Sequence, residues 1–371
     1  MSHMFYININ ERFFQLFFIG LYYSVYKFTF DRCFSVHILN GDAYIYFRGE
    51  IVRNIILRLL SPCIRCILNK TDIDYTDLIE LRLRINEPMI LVFSEGEFFL
   101  SESKGLSEDR TSAYRVTAAD IKCTIDLVSD YSLYAYEDEV RQGFITVRGG
   151  HRVGLAGQVV LEQGSIKSVK HISFINIRFA HQMRGCATCI LPYIIRDGRV
   201  LHTLIISPPG CGKTTMLRDV IRLISDGNSY CRGMNVGVVD ERSEIAACYM
   251  GVPQNDVGLR TDILDCCPKA EGMLMLLRSM NPKVIAVDEI GSRADIEAIS
   301  YVINCGCGIL ATVHGNSIDD IRTKPVLRKL VEERVFDRYI LLGQSQGLGT
   351  VESIFDERGN ELYLHSLCIA N

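Results

Sequence analysis

The sequence predicts an α/β protein in which a mostly parallel sheet is covered by helices on both faces, with a smaller α+β domain before it. From residue 200 onward, short apolar strands alternate with helical segments, a pattern typical of parallel sheets. Between residues 50 and 190, strand-like and helical segments are separated by tight glycine turns. A length of 371 residues exceeds what one hydrophobic core usually supports. We therefore expect an N-terminal extension at 1–49, an α+β domain at 50–190 and an α/β domain at 191–371.

Composition and charge are those of an ordinary folded protein. Apolar residues make up 48% and charged residues 23% of the chain, and the formal net charge is -4. This balance gives no overall attraction to nucleic acid or anionic lipid, so binding of either kind needs a local basic patch. Several of the 14 cysteines lie in apolar runs or within motifs, and we see no A-x-A cleavage pattern, which together favour a reducing cytoplasm.

Two C-x-x-C pairs leave a choice between a metal site and free thiols. Cys63/Cys66 and Cys186/Cys189 could together hold a zinc ion, which prefers four such ligands. The pairs are far apart in the sequence, and the first lies in a helical apolar run. We therefore expect buried or free thiols.

The N-terminal extension contains an aromatic and apolar segment. Residues 1–4 have the character of a tag remnant and are set aside. Phe13 to Val25 is strongly apolar but shorter than the roughly 20 residues that a spanning helix needs. Tyr22, Tyr23 and Tyr26 suit a membrane interface, because an aromatic ring and its hydroxyl prefer different solvents. A core helix or extension and a membrane contact both remain open.

The elements expected in the α+β domain follow from hydrophobic period and turn residues. In chain order they are a helix at 51–69, strands at Glu80–Ile85 and Met89–Phe93, a loop at 94–111, a helix from the cap Thr117 to Tyr134, strands within 144–180, and a helical connector at Ile190–Ile195.

The α/β domain is expected to contain five sheet strands, four helices and a final hairpin. The strands are His202–Ile206, Asn235–Val239, Val284–Asp288, Gly308–Val313 and Tyr339–Leu342. The helices are Lys213–Ser225, Glu271–Met280, Ala294–Asn304 and Ile318–Glu333, the last broken or kinked at Pro325. The hairpin pairs Thr350–Phe355 with Glu361–His365.

The strongest chemical signal is a phosphate-binding loop (P-loop, Walker A) between a strand and a helix. Glycines there let backbone N–H groups approach a phosphate chain, and the helix adds its positive end. Lys213 is expected to reach the β- and γ-phosphates of ATP, and the Thr214 hydroxyl to bind Mg²⁺. Ser207 replaces the first glycine of the usual pattern, at the position with least phosphate contact. The expected nucleotide-binding residues are Ser207, Pro208, Pro209, Gly210, Cys211, Gly212, Lys213, Thr214 and Thr215.

A second signal is an apolar strand that ends in two carboxylates (Walker B). Val284–Val287 precedes Asp288 and Glu289, and parallel strands carry such residues to the edge where the P-loop opens. Asp288 is expected to bind Mg²⁺ directly or through water. Glu289 is expected to orient and deprotonate the attacking water.

Two further strand ends carry polar residues. Asp240 and Glu241 end one strand, and Glu241 could share in positioning the water; alternatively, Ser243 simply caps a following helix beside Asp240. His314 ends another buried strand, and we expect it to sense the γ-phosphate.

Arginines complete many phosphoryl-transfer sites, often from a neighbouring subunit. Arg260 and Arg178 are the leading candidates, with Arg148 and Arg152 behind them, and the sequence does not choose among these. A basic strand face with Arg82 and Arg84, or the turn with Arg148 and Arg152, supports an alternative, a nucleic-acid-dependent ATPase. The strongly basic tract or stacking platform typical of that class is missing.

The motifs together resemble the stage III sporulation protein AA family, whose members are similar to type II and type IV secretion motor ATPases. The resemblance covers about residues 50–371, and the runs that carry it are Gly150–Gly157, Asn176–Ala180, Ser207–Thr215, Asp240–Ile245, Arg260–Ile263, Lys269–Met273 and Val284–Gly291.

That resemblance implies a RecA-like, AAA+-type P-loop ATPase domain in a cytoplasmic homo-hexamer at the inner face of the membrane. It further implies a sporulation motor that drives a secretion-like channel between mother cell and forespore, through an integral-membrane platform protein. His314 would correspond to the histidine box of secretion ATPases, and Arg178 to their arginine before the P-loop.

Overall fold

The computed structural model describes residues 6–7, 34–39 and 42–364. The aromatic segment at 13–25 and the end of the predicted final strand at His365 lie outside the described residues. Inter-residue contacts divide the chain into two compact units, which meet in the sequence between Ala180 and His181. This division precedes the predicted boundary at 190, because Ala187 and Ile190 are buried in the core of the second unit.

The first unit is built on antiparallel sheets. Its strands are β1 (Tyr6–Ile7), β2 (Phe34–Leu39), β3 (Asp42–Phe47), β4 (Leu78–Arg84), β5 (Ile90–Phe93), β6 (Gly96–Ser101), β7 (Gly105–Ser107), β8 (Phe144–Val147), β9 (His151–Glu162) and β10 (Ser165–Arg178). The order in the larger sheet is β7-β6-β5-β4-β10-β9-β8, and β1-β3-β2 form a smaller one. The predicted loop at 94–111 is therefore wrong, since half of it forms the paired strands β6 and β7.

Within the described part of this unit, four α-helices accompany these strands: α1 (Arg48–Leu59), α2 (Pro62–Lys70), α3 (Ala118–Val128) and α4 (Glu137–Gln142). The single predicted helix at 51–69 is two helices, because Pro62 lacks an N–H group and Ser61 caps the second helix. The predicted cap Thr117 is confirmed, in a capping box with Asp120. That helix ends before Tyr134, since Asp130 and Tyr131 adopt left-handed backbone conformations.

The second unit contains a mixed sheet of eight strands in the order β15-β14-β16-β17-β13-β18-β19-β20. The strands are β13 (Thr203–Ser207), β14 (Val236–Asp240), β15 (Thr261–Asp265), β16 (Val284–Val287), β17 (Gly308–His314), β18 (Arg338–Gly343), β19 (Thr350–Asp356) and β20 (Glu361–Leu364), after a short hairpin of β11 (Ile195–Arg196) and β12 (Arg199–Val200). The first six strands in spatial order, β15 to β18, pair in parallel. Strand β19 pairs antiparallel with β18, and β20 pairs antiparallel with β19. The predicted mostly parallel sheet is confirmed.

Helices cover both faces of this sheet. They are α5 (Leu191–Ile194), α6 (Lys213–Asp226), α7 (Lys269–Ser279), α8 (Arg293–Asn304), α9 (Ile318–Thr323) and α10 (Pro325–Glu332). Apolar residues of α5 and α6 pack in one core cluster, and those of α7, α8 and α10 pack in another. The predicted break at Pro325 is confirmed, since Lys324 separates α9 from α10.

Two sequence-based expectations for the second unit differ from the structure. Strand β15 was not predicted, because Thr261–Asp265 is a half-buried edge strand with acidic residues in it. No helix follows Ser243 within the described segment 241–260, so the predicted capping role of that residue is wrong. Among the described residues, none of the helices combines the length and the apolar character needed to cross a bilayer.

Candidate active site

Four neighbouring parallel strands end at one edge of the sheet and bring the candidate residues together there. The order β14-β16-β17-β13 inserts β17 between the strand that leads into the P-loop and the strand that ends before Asp288. Polar side chains at the end of β17 therefore lie between those two motifs. Carboxyl ends of parallel strands are where α/β proteins place their ligands.

The P-loop joins β13 to α6, and its glycines adopt the conformations that the motif requires. Gly210 and Gly212 have φ angles of 73° and 81°, in the left-handed region that residues with a Cβ rarely adopt. A Cβ on Gly212 would also lie 3.3 Å from Cα of Gly349. No side chain caps the first turn of α6, so its backbone N–H groups face the loop as an anion site.

The remaining loop residues leave this backbone accessible. Ser207, in place of the usual first glycine, is buried at the end of β13 and donates its hydroxyl to the carbonyl of Pro208. Its φ angle is not positive, so no glycine is needed there. The Cys211 side chain is buried, and its sulfur lies 3.3 Å from Nε2 of Gln344.

Thr214 and Asp288 meet across the loop. The Thr214 hydroxyl donates to Oδ2 of Asp288 over 2.7 Å. The other carboxylate oxygen, Oδ1, accepts the hydroxyl of Thr312 and the backbone N–H of Glu289. Two hard oxygen atoms beside the P-loop are the kind of ligand that Mg²⁺ prefers.

Glu289 belongs to a chain of four polar side chains. Its Oε1 atom lies 2.9 Å from Nε2 of His314, and its Oε2 atom accepts from Arg242 over 3.1 Å. The Nδ1 atom of His314 lies 2.8 Å from Nζ of Lys213. Because a protonated lysine can only donate, Nδ1 accepts and Nε2 carries the proton shared with Glu289.

Lys213 is buried at the start of α6. Burial lowers the pKa of its ammonium group, while the charges of Asp288 and Glu289 act in the opposite direction. A partly desolvated cation next to uncapped backbone amides interacts more strongly with an anion than a solvated one does.

Asp240 acts as a structural clamp beside the site. Its carboxylate is buried and accepts three backbone N–H groups, from Glu244, Ile245 and Ala246. Burial raises the pKa of Asp240 to about 6, against the lowering effect of these bonds. Arg218 of α6 holds the same segment, through the carbonyls of Ile245 and Glu244.

The other predicted residues have recorded partners outside this cluster. Glu241 follows β14 at the same sheet edge, but its carboxylate pairs with Lys269. Arg260 donates to the carbonyl of Ser225, at the opposite end of α6, which at 1.5 Å per residue is roughly 20 Å from the P-loop of the same chain. Arg178 belongs to the first unit, where it pairs with Glu80 over 3.3 Å. Catalytic roles for these three residues stay predictions.

Two residues of the cluster were not predicted from the sequence. Thr312 lies two residues before His314, in the same strand end that led us to expect His314 at the site. A threonine in a buried strand is most often a packing residue, so it gave no signal of its own. Arg242 lies in an irregular segment whose path no periodicity indicates. Their contacts depend on the strand order, which the sequence does not show.

Metal-binding clusters of another kind are not found among the described residues. Within the described parts of the chain, no group of three or more His, Cys, Asp or Glu side chains is arranged to hold a metal ion. Cys63, Cys66, Cys186 and Cys189 are free thiols. Burial raises the pKa of Cys186 to about 12, so that thiol stays protonated at neutral pH.

Comparison with known proteins identifies the family. The model of the family described as "Sporulation stage III, protein AA" matches residues 50–362. The chain belongs to the stage III sporulation protein AA family. Stage III sporulation protein AA of Bacillus subtilis (strain 168) is 44% identical over 288 residues, which cover 78% of this chain and 90% of that protein. The resemblance drawn from the motifs is thereby confirmed.

Two other similarities extend beyond the family. The protein SEEDLING PLASTID DEVELOPMENT 1 of Arabidopsis thaliana is 26% identical over 277 residues, covering 74% of this chain but 35% of that protein. The crystal structure of the pilus retraction motor PilT with bound ADP has a TM-score of 0.50 at 14% identity, covering 79% of this chain and 77% of that one. At this identity the similarity to PilT establishes a shared fold alone.

Proposed function

We propose that this chain hydrolyses ATP with the help of Mg²⁺. The observation that carries the proposal is the 2.7 Å contact between the Thr214 hydroxyl and the Asp288 carboxylate at the mouth of the P-loop. In P-loop ATPases, a hydroxyl and a carboxylate at these two places hold one magnesium ion. The open backbone around Gly210, where a Cβ would meet no atom within 4 Å, leaves room for a phosphate chain.

The residues of the cluster have complementary roles in this proposal. Amide groups of the loop and Lys213 bind the phosphates, and Thr214 with Asp288 holds the metal. Magnesium, when bound, neutralises charge that develops on the phosphoryl oxygens. Glu289 orients the attacking water and accepts its proton, and His314 links that carboxylate to Lys213.

At the level of biological role, we propose a sporulation motor similar to secretion ATPases, acting as a homo-hexamer in the cytoplasm at the membrane. Membership of the family and the fold shared with PilT support this role. An integral-membrane platform protein is the proposed partner. Arg178 and Arg260 remain the candidates for an arginine supplied to a neighbouring subunit.

The alternative of a nucleic-acid-dependent ATPase gains no support from Arg82, one of the arginines that suggested it. Arg82 pairs with Glu80 and with Glu97, each over 2.9 Å. These two carboxylates neutralise the positive charge of Arg82, which binding to the phosphates of a nucleic acid would need.

The test is steady-state phosphate release by the purified full chain. With ATP and Mg²⁺ the chain should turn over, and Glu289→Gln should lower kcat by about 10²- to 10⁴-fold while nucleotide still binds, because general base catalysis is lost. Glu361→Gln, an exposed glutamate on β20, is the matched control and should leave kcat unchanged. Turnover unaffected by Glu289→Gln would refute the assignment, and strong stimulation by polynucleotide would favour the alternative.

A further inference from the structure

Thr312 is a fully buried residue of β17, the strand inserted between the P-loop strand and the strand that precedes Asp288. Five of the six other residues of β17 are buried, and most are small or apolar. A buried hydroxyl is costly unless it is hydrogen-bonded, so its partners indicate what it does.

The Thr312 hydroxyl makes two hydrogen bonds of opposite sense. It donates to Oδ1 of Asp288, and it accepts the backbone N–H of Glu289 over 2.9 Å. The Thr312 carbonyl in addition accepts the backbone N–H of Ile290 over 2.9 Å. The three consecutive residues 288–290, which follow β16, are therefore held by one residue of the neighbouring strand.

The backbone that is held in this way is strained. Glu289 has a φ angle of 49°, in the left-handed region that residues other than glycine and asparagine seldom adopt. Such a conformation persists only where the surroundings impose it, and it is found most often at functional sites. The hydrogen bond from the Glu289 N–H to Thr312 is one of the contacts that impose it.

The same hydroxyl also determines which oxygen of Asp288 faces the P-loop. Because Oδ1 is engaged by Thr312, Oδ2 is left to contact Thr214. One hydroxyl thus fixes both the orientation of the proposed metal ligand and the backbone of the proposed base.

We propose that Thr312 is a positioning residue that couples the magnesium ligand Asp288 to the base Glu289. This inference rests on the proposed ATP hydrolysis. The restraint of residues 288–290 by the Thr312 hydroxyl does not depend on ATP hydrolysis and can be measured in the nucleotide-free protein.

The experiment compares Thr312→Val, which removes the hydroxyl at nearly equal volume, with Thr312→Ser, which keeps it. The matched control is Thr203→Val, since Thr203 is a buried threonine of β13 whose hydroxyl donates to the carbonyl of Leu201. Three quantities are measured on the full chain: hydrogen–deuterium exchange of the segment 285–292 without nucleotide, affinity for a fluorescent ATP analogue with Mg²⁺ and with EDTA, and kcat with KM.

Thr312→Val should expose the segment to exchange, reduce the gain in affinity that Mg²⁺ provides, and lower kcat by about 10- to 100-fold, the usual effect of removing a group that orients a metal ligand. Thr312→Ser should stay close to the wild-type protein in all three measurements. Thr203→Val should alter none of them.

The inference is overturned if Thr312→Val keeps wild-type exchange and Mg²⁺ dependence, or if Thr312→Ser is as defective as Thr312→Val, since the methyl group would then be what matters. If Thr312→Val gives no folded protein, Thr312→Ala against Thr312→Ser asks the same question, because the two differ only by the hydroxyl. A wild-type chain that does not hydrolyse ATP would refute the proposed function, and the exchange data would still decide whether Thr312 restrains the segment.

Discussion

Asp240 provides the sharpest test of the electrostatics around the site. The structure assigns its carboxylate to a buried clamp on the segment that carries Arg242, rather than to chemistry. Burial raises its pKa from 3.8 to about 6, so the folded chain binds this proton more tightly than the unfolded chain does. Its contribution to stability is therefore fully present below about pH 4 and is lost as pH rises through about 6.

The magnitude follows from the shift. A difference of about two pKa units corresponds to roughly 3 kcal/mol, at about 1.4 kcal/mol for each unit. Asp240→Asn removes the titration, so the free energy of unfolding of the wild-type chain minus that of the variant should rise by roughly 2–3 kcal/mol between pH 7 and pH 4. Urea unfolding followed by far-ultraviolet circular dichroism measures this difference.

Comparing the wild-type chain with Asp240→Asn at each pH removes the influence of other carboxylates on the free energy of unfolding. For example, desolvation raises the pKa of Asp356, but hydrogen bonds from Asn360 and Arg358 together outweigh it and lower the pKa. The contribution of Asp356 to stability is therefore lost as the pH falls, in both proteins alike. A difference that stays constant from pH 7 to pH 4 would show that Asp240 is not a buried, proton-binding clamp.

Three further predictions follow from single contacts. Gly212→Ala should weaken nucleotide binding by about tenfold in an equilibrium titration, because a left-handed φ of 81° costs a residue with a Cβ about 1–2 kcal/mol. Arg242→Gln should raise kcat by up to about fivefold, measured by phosphate release, because an exposed ion pair is worth up to about 1 kcal/mol and its loss frees one oxygen of Glu289. Asp120→Ala should destabilise the first unit by about 2–4 kcal/mol in urea unfolding without changing nucleotide affinity, because this buried carboxylate anchors the helix cap Thr117.

Each of these predictions has a control and a contradicting outcome. Gly359→Ala places the same strain in a turn with open space around it and should leave nucleotide affinity intact; an equal loss there would discount the P-loop argument. Arg322→Gln removes an exposed ion pair with Asp319 and should not alter kcat, whereas a fall in kcat for Arg242→Gln would mean that this arginine assists the base. Nucleotide affinity lost together with stability in Asp120→Ala would contradict the prediction that the effect of this carboxylate is confined to the first unit.

The parts of the site that depend on local sequence were predictable. The P-loop needs glycines at Gly210 and Gly212 for their positive φ angles, and the apolar run before Asp288 is a buried strand whose end must be polar. Both are properties of a few consecutive residues. The strands and helices next to these motifs followed from hydrophobic periodicity, and the helix break followed from Pro325.

The parts that depend on strand order were not predictable. His314 was expected at the site because it ends a buried strand, but its contact with Glu289 was not. That contact, and the contact of Thr312 with Asp288, exist only because β17 lies between β13 and β16, and nothing in one sequence specifies that order. Arg242 reaches Glu289 through a segment without secondary structure, which the Asp240 carboxylate shapes. The half-buried edge strand β15 lacks the apolar run by which a buried strand is recognised.

The central claim is that Thr214 and Asp288 hold one magnesium ion over phosphates bound in the P-loop. A structure of the full chain with Mg²⁺ and a non-hydrolysable ATP analogue tests it most directly. We expect the phosphate chain within the loop at 207–214 and the metal about 2.0–2.1 Å from the Thr214 hydroxyl, with Asp288 bound to it directly or through one water. Phosphates outside the loop, or a metal held by other side chains, would contradict the claim.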